Sequence, residues 1–136
     1  MESRMIFLMV DDLFFLTKIQ TTLQHLGLMS RTLTTRAQLL DALQAGAIPA
    51  GIVVDLALRA DRAVDLISAL RSTAERSQSI PVLAFGSHVE VEQRRQALAA
   101  GADNVVTKSE LSKNLPQLLQ RLVALPSEVE KNENYT

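Results

Sequence analysis

Asp55 stands near the end of the apolar run GIVVDLAL, residues 51–58. An ionised carboxylate in such surroundings is costly unless something pairs with it or binds it. Two more carboxylates, Asp11 and Asp12, close the run MIFLMVDD, and Lys108 follows the short run NVVT. The plainest role for Asp11 and Asp12 is to cap the helix that follows, since carboxylates favour that end. Gathered in one place, however, three carboxylates repel one another and invite a hard divalent cation. Mg²⁺ suits such a set, because it takes oxygen ligands, keeps several waters and often needs only one or two protein carboxylates. Lys108 would offset the remaining negative charge and hold an anionic group beside the metal. A metal and a lysine around a carboxylate neutralise charge on the equatorial oxygens of a phosphoryl group. Asp55 is then the nucleophile, and the product is an aspartyl phosphate.

For these residues to meet, the chain must bring the ends of several apolar runs together. Met5–Val10 reads as a first strand, followed by a helix over Leu13–Leu26 with Leu16, Ile19, Leu23 and Leu26 inward and Gly27 as its stop. Leu28–Thr32 is a weak second strand, and Arg36–Ala45 a helix closed by Gly46. Gly51–Leu56 is the third strand, and Ala63–Arg76 the helix after it, using Val64, Ile67 and Leu70. Ile80–Phe85, entered through Pro81, is the fourth, followed by a helix over Glu90–Ala100 that Gly101 stops. Asn104–Thr107 is the fifth, and Leu115–Leu125 the last helix, with Asn114 as its cap and Pro116 in its first turn.

Strands alternating with helices predict an α/β chain with a parallel sheet. The strands are continuously apolar, as strands covered on both faces are. In open sheets of this kind functional groups collect beyond the carboxyl ends of the strands. Strand one ends at Asp11 and Asp12, strand three at Asp55, strand four at Gly86, Ser87 and His88, and strand five at Thr107 and Lys108. The carboxylates and the lysine therefore project toward one crevice.

Composition narrows the class. A chain of 136 residues with 47% hydrophobic content can bury one proper core. Residues 1–125 are expected to form one domain, and 126–136 a polar, disordered tail. The charge of −1, from 14 basic and 15 acidic residues, carries no nucleic-acid footprint. There is no cysteine, which excludes disulfides, thiol catalysis and thiolate metal sites. The apolar run near the N-terminus is shorter than the roughly 7–15 residues of a secretory segment, and nothing approaches the ~18 of a membrane span. A soluble, cytoplasmic protein that binds no membrane is the expectation.

The segments MIFLMVDD, GIVVDLAL, IPVLAFGSH and GADNVVTKS, in order and at suitable spacing, resemble the receiver domain of bacterial two-component response regulators, of the chemotaxis-receiver type. The resemblance covers about residues 4–125. It implies a flavodoxin-like, doubly wound (βα)5 three-layer sandwich with strand order 2-1-3-4-5. It implies that Asp55 is the phosphoacceptor, that Asp11 and Asp12 hold Mg²⁺ with the carbonyl of Ala57, and that Lys108 pairs with Asp55 or its phosphoryl group. The donor would be a phosphohistidine on a sensor histidine kinase or a phosphotransfer protein. Family members often dimerise through their last two helices, and a homodimer is compatible with this sequence.

Departures from the family pattern fall on the switch. Gly86 stands where a Thr or Ser hydroxyl usually contacts the phosphoryl group, and Ser87 is a shifted candidate for that contact. Val105 replaces the usual aromatic residue, Ser109 the proline after the lysine, and Arg59 a proline after the phosphoacceptor. The leading expectation is a stand-alone receiver, phosphorylated on Asp55, that signals through protein contacts to an unidentified downstream protein. Its chemistry would be at most self-catalysed phosphoryl transfer and aspartyl-phosphate hydrolysis. The alternatives are a pseudo-receiver that does not cycle phosphate and, third, a small phosphatase or nucleotide-binding enzyme. Against the third, no Gly-rich phosphate loop follows strand one. His88 reads as a solvated loop residue, His25 as structural, Phe14–Phe15 as helix packing with one ring exposed, and VEVEQRR as a solvated helix face.

Overall fold

The apolar runs become five parallel strands: β1 (Met5–Met9), β2 (Met29–Thr32), β3 (Gly51–Asp55), β4 (Val82–Gly86) and β5 (Asn104–Thr107). The computed structural model describes residues 4–124, apart from the side chain of Arg76. Leu125 and the expected tail at 126–136 lie outside the described residues. The strands pair in the order β2-β1-β3-β4-β5, so the chain has the flavodoxin-like topology that the resemblance implied. Helices α1 (Leu13–His25), α2 (Arg36–Gln44), α3 (Ala63–Thr73), α4 (Val91–Ala100) and α5 (Lys108–Ala124) alternate with them.

Strand side chains alternate between two faces, and each face has its own core. Phe7, Met9, Ile52 and Val54 point into a cluster with Leu39 of α2 and Leu66 and Leu70 of α3. Ile6, Leu8 and Val53 point the other way, onto Ile19 and Leu23 of α1 and Leu115, Leu119 and Leu122 of α5. Full burial of one such side chain is worth about 1.5–3 kcal/mol, so covering both faces is what makes apolar strands tenable. By alternation, Asp55 shares the face of Val53 with α1 and α5. Gly51 shares it too, and α5 approaches so closely there that a Cβ would stand 2.8 Å from Leu122 Cγ.

Two helices differ from the sequence expectation. Instead of running to Arg76, α3 ends at Thr73 and a 3₁₀ turn follows over Glu75–Ser79. The cause is Arg71. Its guanidinium donates to the carbonyls of Ser77, Gln78 and Ile80 at 3.0, 3.1 and 2.6 Å, which holds the chain in the turn beyond the helix.

The last helix begins at Lys108, not at Leu115. Thr107 and Glu110 start it with a reciprocal cap: Glu110 N–H donates to the Thr107 hydroxyl at 3.1 Å, and Thr107 N–H donates to Glu110 Oε1 at 3.4 Å. Asn114, expected as the cap, is instead a break inside the helix, with φ −124° and ψ 26°. Pro116, which has no N–H to offer the preceding turn, follows it. Lys108 is therefore the first helical residue and no part of β5.

Candidate functional site

Three chain segments meet at the carboxyl edge between β1, β3 and β5. Asp55 is the last residue of β3 and only 2% exposed. Its Oδ1 accepts the N–H of Ala57 at 2.8 Å, which turns the chain away from the strand and aims the carboxyl into the crevice. Burial is the largest influence on this carboxyl and pushes its pKa up. The Ala57 N–H and the charge of Lys108 pull it back, while Asp11 and Asp12 add to the rise.

Asp12 does two jobs. Its Oδ1 accepts the N–H of Phe15 at 3.2 Å and so caps α1, the plain role foreseen for it. Its Oδ2 takes the ammonium of Lys108 at 3.0 Å. That hydrogen bond, then the Phe15 N–H, holds its pKa below the ordinary carboxylate value. Lys108 was expected to pair with Asp55 or its phosphoryl group; in this unphosphorylated structure it stands on Asp12, with Asp55 close enough to feel its charge. The reason is the capped start of α5, which puts Lys108 opposite the capped start of α1.

Asp11 Oδ2 accepts the N–H of Arg59 at 2.8 Å. A proline at position 59 has no N–H to give, so this departure from the family pattern supplies Asp11 with a donor. Among the described residues, no three His, Asp or Glu side chains close on one point as a ready-made metal centre. The chemistry of the donors nevertheless fits Mg²⁺. Asp11 Oδ1 and Asp55 Oδ2 each receive no hydrogen bond among the described contacts, and the carbonyl of Ala57 is an exposed neighbour. A hard ion that keeps most of its waters asks for little more. Both oxygens of Asp12 are engaged by protein donors.

A family model for the response regulator receiver domain matches residues 6–120. The chain belongs to the response regulator receiver family. Solved structures agree on the fold. The Vibrio cholerae chemotaxis response regulator CheY4 is 20% identical, with TM-score 0.77, covering 89% of this chain and 99% of that one. The receiver domain of a response regulator from Bermanella marisrubri is 21% identical, with TM-score 0.75, covering 90% and 99%. The phosphorylated cyanobacterial phytochrome response regulator RcpA is 16% identical, with TM-score 0.79, covering 93% and 98%. Among curated proteins none is significantly similar.

The switch positions of this receiver are as unusual in space as in sequence. Gly86 is the buried last residue of β4, and a Cβ there would meet Leu56 and Val89 at ordinary contact distances of 3.4–3.6 Å. The hydroxyl is thus missing without any steric need for glycine. Ser87 is exposed in the loop beyond. Val105 is 1% exposed, and its carbonyl receives the guanidinium of Arg94 from α4. Within VEVEQRR, Val89 packs against the core and Arg94 turns inward, while Glu92 and Arg95 pair on the solvated face as expected. His88 is exposed, and so is His25, which therefore lies outside the helix packing expected of it. Phe14 is the exposed ring and Phe15 the partly buried one. The ring of Phe15 lies under the Lys108 ammonium, a contact the sequence reading missed because residues 15 and 108 meet only in the fold.

Proposed function

We propose that this receiver accepts a phosphoryl group on Asp55 from a phosphohistidine of a sensor histidine kinase or phosphotransfer protein. The observation that carries the reading is Asp55 itself: a carboxylate at a strand end, nearly sealed from solvent, with one oxygen held by Ala57 N–H and a lysine ammonium close by. The oxygen not held by Ala57 attacks phosphorus, the P–N bond breaks, and its electron pair stays on the imidazole nitrogen of the donor. The product is an aspartyl phosphate and a neutral histidine.

Lys108 stands on Asp12 before the reaction. A phosphoryl group on Asp55 brings more negative charge than Asp12 carries, and the ammonium shifts its pairing toward it. Asp11 and Asp55, with the carbonyl of Ala57, would hold Mg²⁺, and Asp12 would join them once Lys108 has left it. When bound, the ion neutralises charge on the phosphoryl oxygens. Output passes through protein contacts.

The test is Mg²⁺-dependent labelling by acetyl phosphate, read by intact mass, with Asp55→Asn as control. A phosphoryl adduct on the wild type that is absent from the variant is the expected result. No adduct, or an equal one on Asp55→Asn, would overturn the proposal. The second reading, an interaction module that does not cycle phosphate, is favoured by Gly86 and by the engagement of both Asp12 oxygens. It is the reading that a missing adduct would leave standing.

A further inference from the structure

Lys108 has a second neighbour besides Asp12. Its ammonium stands over the ring of Phe15, 5.2 Å from the centroid. A cation within about 6 Å of an aromatic centroid, over the face, is attracted by the ring quadrupole. Phe15 belongs to the first turn of α1, and its own N–H donates to the capping carboxylate of Asp12. One helical turn therefore presents both groups that touch the lysine.

The ring is not free to move away. Phe85 of β4 backs it, with centroids 5.8 Å apart and planes at 37°. Phe14 meets it nearly edge-on, at 5.4 Å and 83°. Packing on Phe85 accounts for an apolar residue at position 15, and a leucine would satisfy it. It does not account for an ammonium, a compact and strongly hydrated charge on a flexible stem, resting over the ring of that residue.

We propose that Phe15 is a positioning residue for Lys108, holding the ammonium at the mouth of the acidic site by its ring face. The inference rests on the proposed phosphorylation of Asp55. Its logic is the neutrality of the ring. Asp12 restrains the lysine by charge, and that charge competes with the phosphoryl group for it. The ring restrains it without a competing anion, so Lys108 meets the incoming group already oriented, with the entropy of its stem partly lost beforehand.

Two variants and two readouts test this. Phe15→Leu keeps apolar bulk and removes the ring face; Phe15→Tyr keeps the face. Protons above an aromatic ring are shifted upfield, so the ε-methylene resonance of Lys108 in the unphosphorylated protein should lie upfield of that of Lys113. It should return to the ordinary position in Phe15→Leu and stay shifted in Phe15→Tyr. Lys18, which lies over Phe14 at 5.7 Å, should keep its shift in both and serves as the internal control. The rate of phosphorylation by acetyl phosphate should fall about three- to tenfold in Phe15→Leu and recover in Phe15→Tyr.

A Lys108 resonance that is the same in the wild type and Phe15→Leu overturns the contact. A resonance that moves while the rate does not overturns the role in transfer. If the wild type itself takes no phosphoryl group, the reading of Asp55 has failed and the role in transfer fails with it. The ring-current comparison then still decides whether Phe15 holds the lysine.

Discussion

The charge on Asp55 works against the stability of the fold that buries it. Burial raises its folded-state pKa above the ordinary value of 3.8, so the native protein holds a proton at pH values where the unfolded chain has released it. Stability from this group therefore falls as pH rises from 3.8 through the raised value, and the penalty is complete above it. Asp12 has the opposite sign. Its lowered pKa contributes stability above the ordinary value, and that contribution is lost as pH falls through the folded-state value. Asp55→Asn removes only the first effect and keeps an oxygen for the Ala57 N–H. Its urea midpoint should exceed that of the wild type at pH 7, and the gap should narrow toward pH 4. An equal or lower midpoint at pH 7 would mean that the charge is better compensated than the structure shows. At this scale the sequence was informative, because a polar side chain ending an apolar run has few bland explanations. The partner of Lys108 was not legible, since Asp12 and Asp55 are equally plausible until two helix starts are placed opposite each other.

The element that depends most on a single side chain is the junction of α3, β4 and the α4–β5 turn. Arg71, 17% exposed, reaches the carbonyls of Ser77, Gln78, Ile80 and Gly101 and the carboxylate of Asp103. Gly101 has φ +123°, and a Cβ there would lie 2.7 Å from the Arg71 side chain. The turn needs glycine both for its backbone and to let the arginine through. Arg71→Met keeps most of the stem but strips the carbonyls of their donor, and should cost about 2–4 kcal/mol in chemical denaturation. Arg71→Lys should recover little, because one ammonium does not span the carbonyls that a guanidinium fork reaches. A loss below about 1 kcal/mol in Arg71→Met would show that water replaces the fork without penalty. Helical periodicity had carried α3 on to Arg76, since a long-range hydrogen-bonding hub has no local signature. The start of α5 is a different kind of miss. Its signal, Thr107-x-x-Glu110, stands in the sequence as a capping box, but the run Leu115–Leu125 is so strongly apolar that it drew the boundary to itself.

At the scale of the whole molecule, two cores fasten the sheet from both sides and leave its carboxyl edge open for the acidic site. No helix among the described residues is long and apolar enough to cross a membrane. A ligand that binds only the folded state stabilises it by mass action, by about 1.4 kcal/mol once its free concentration is tenfold above its dissociation constant. If Asp11 and Asp55 hold Mg²⁺, millimolar MgCl₂ should raise the melting temperature of the wild type and leave that of Asp11→Asn in place. An equal response in both would remove the metal from the site.

What the sequence determined by itself was the order of elements, which depends on local periodicity, and the residues that end the apolar runs. That covers the alternation of strands and helices, the two-sided burial and the edge at which Asp11, Asp12, Asp55 and Lys108 gather. These follow from the hydrophobic effect acting on each segment with its own period. Only the tertiary structure decided the pairings across that edge: Lys108 on Asp12 and over Phe15, and Arg59 N–H on Asp11. Those contacts are short-ranged and join residues far apart in the chain. Their partners are therefore chosen by how helices seat on the sheet, and a one-dimensional pattern carries no record of that choice.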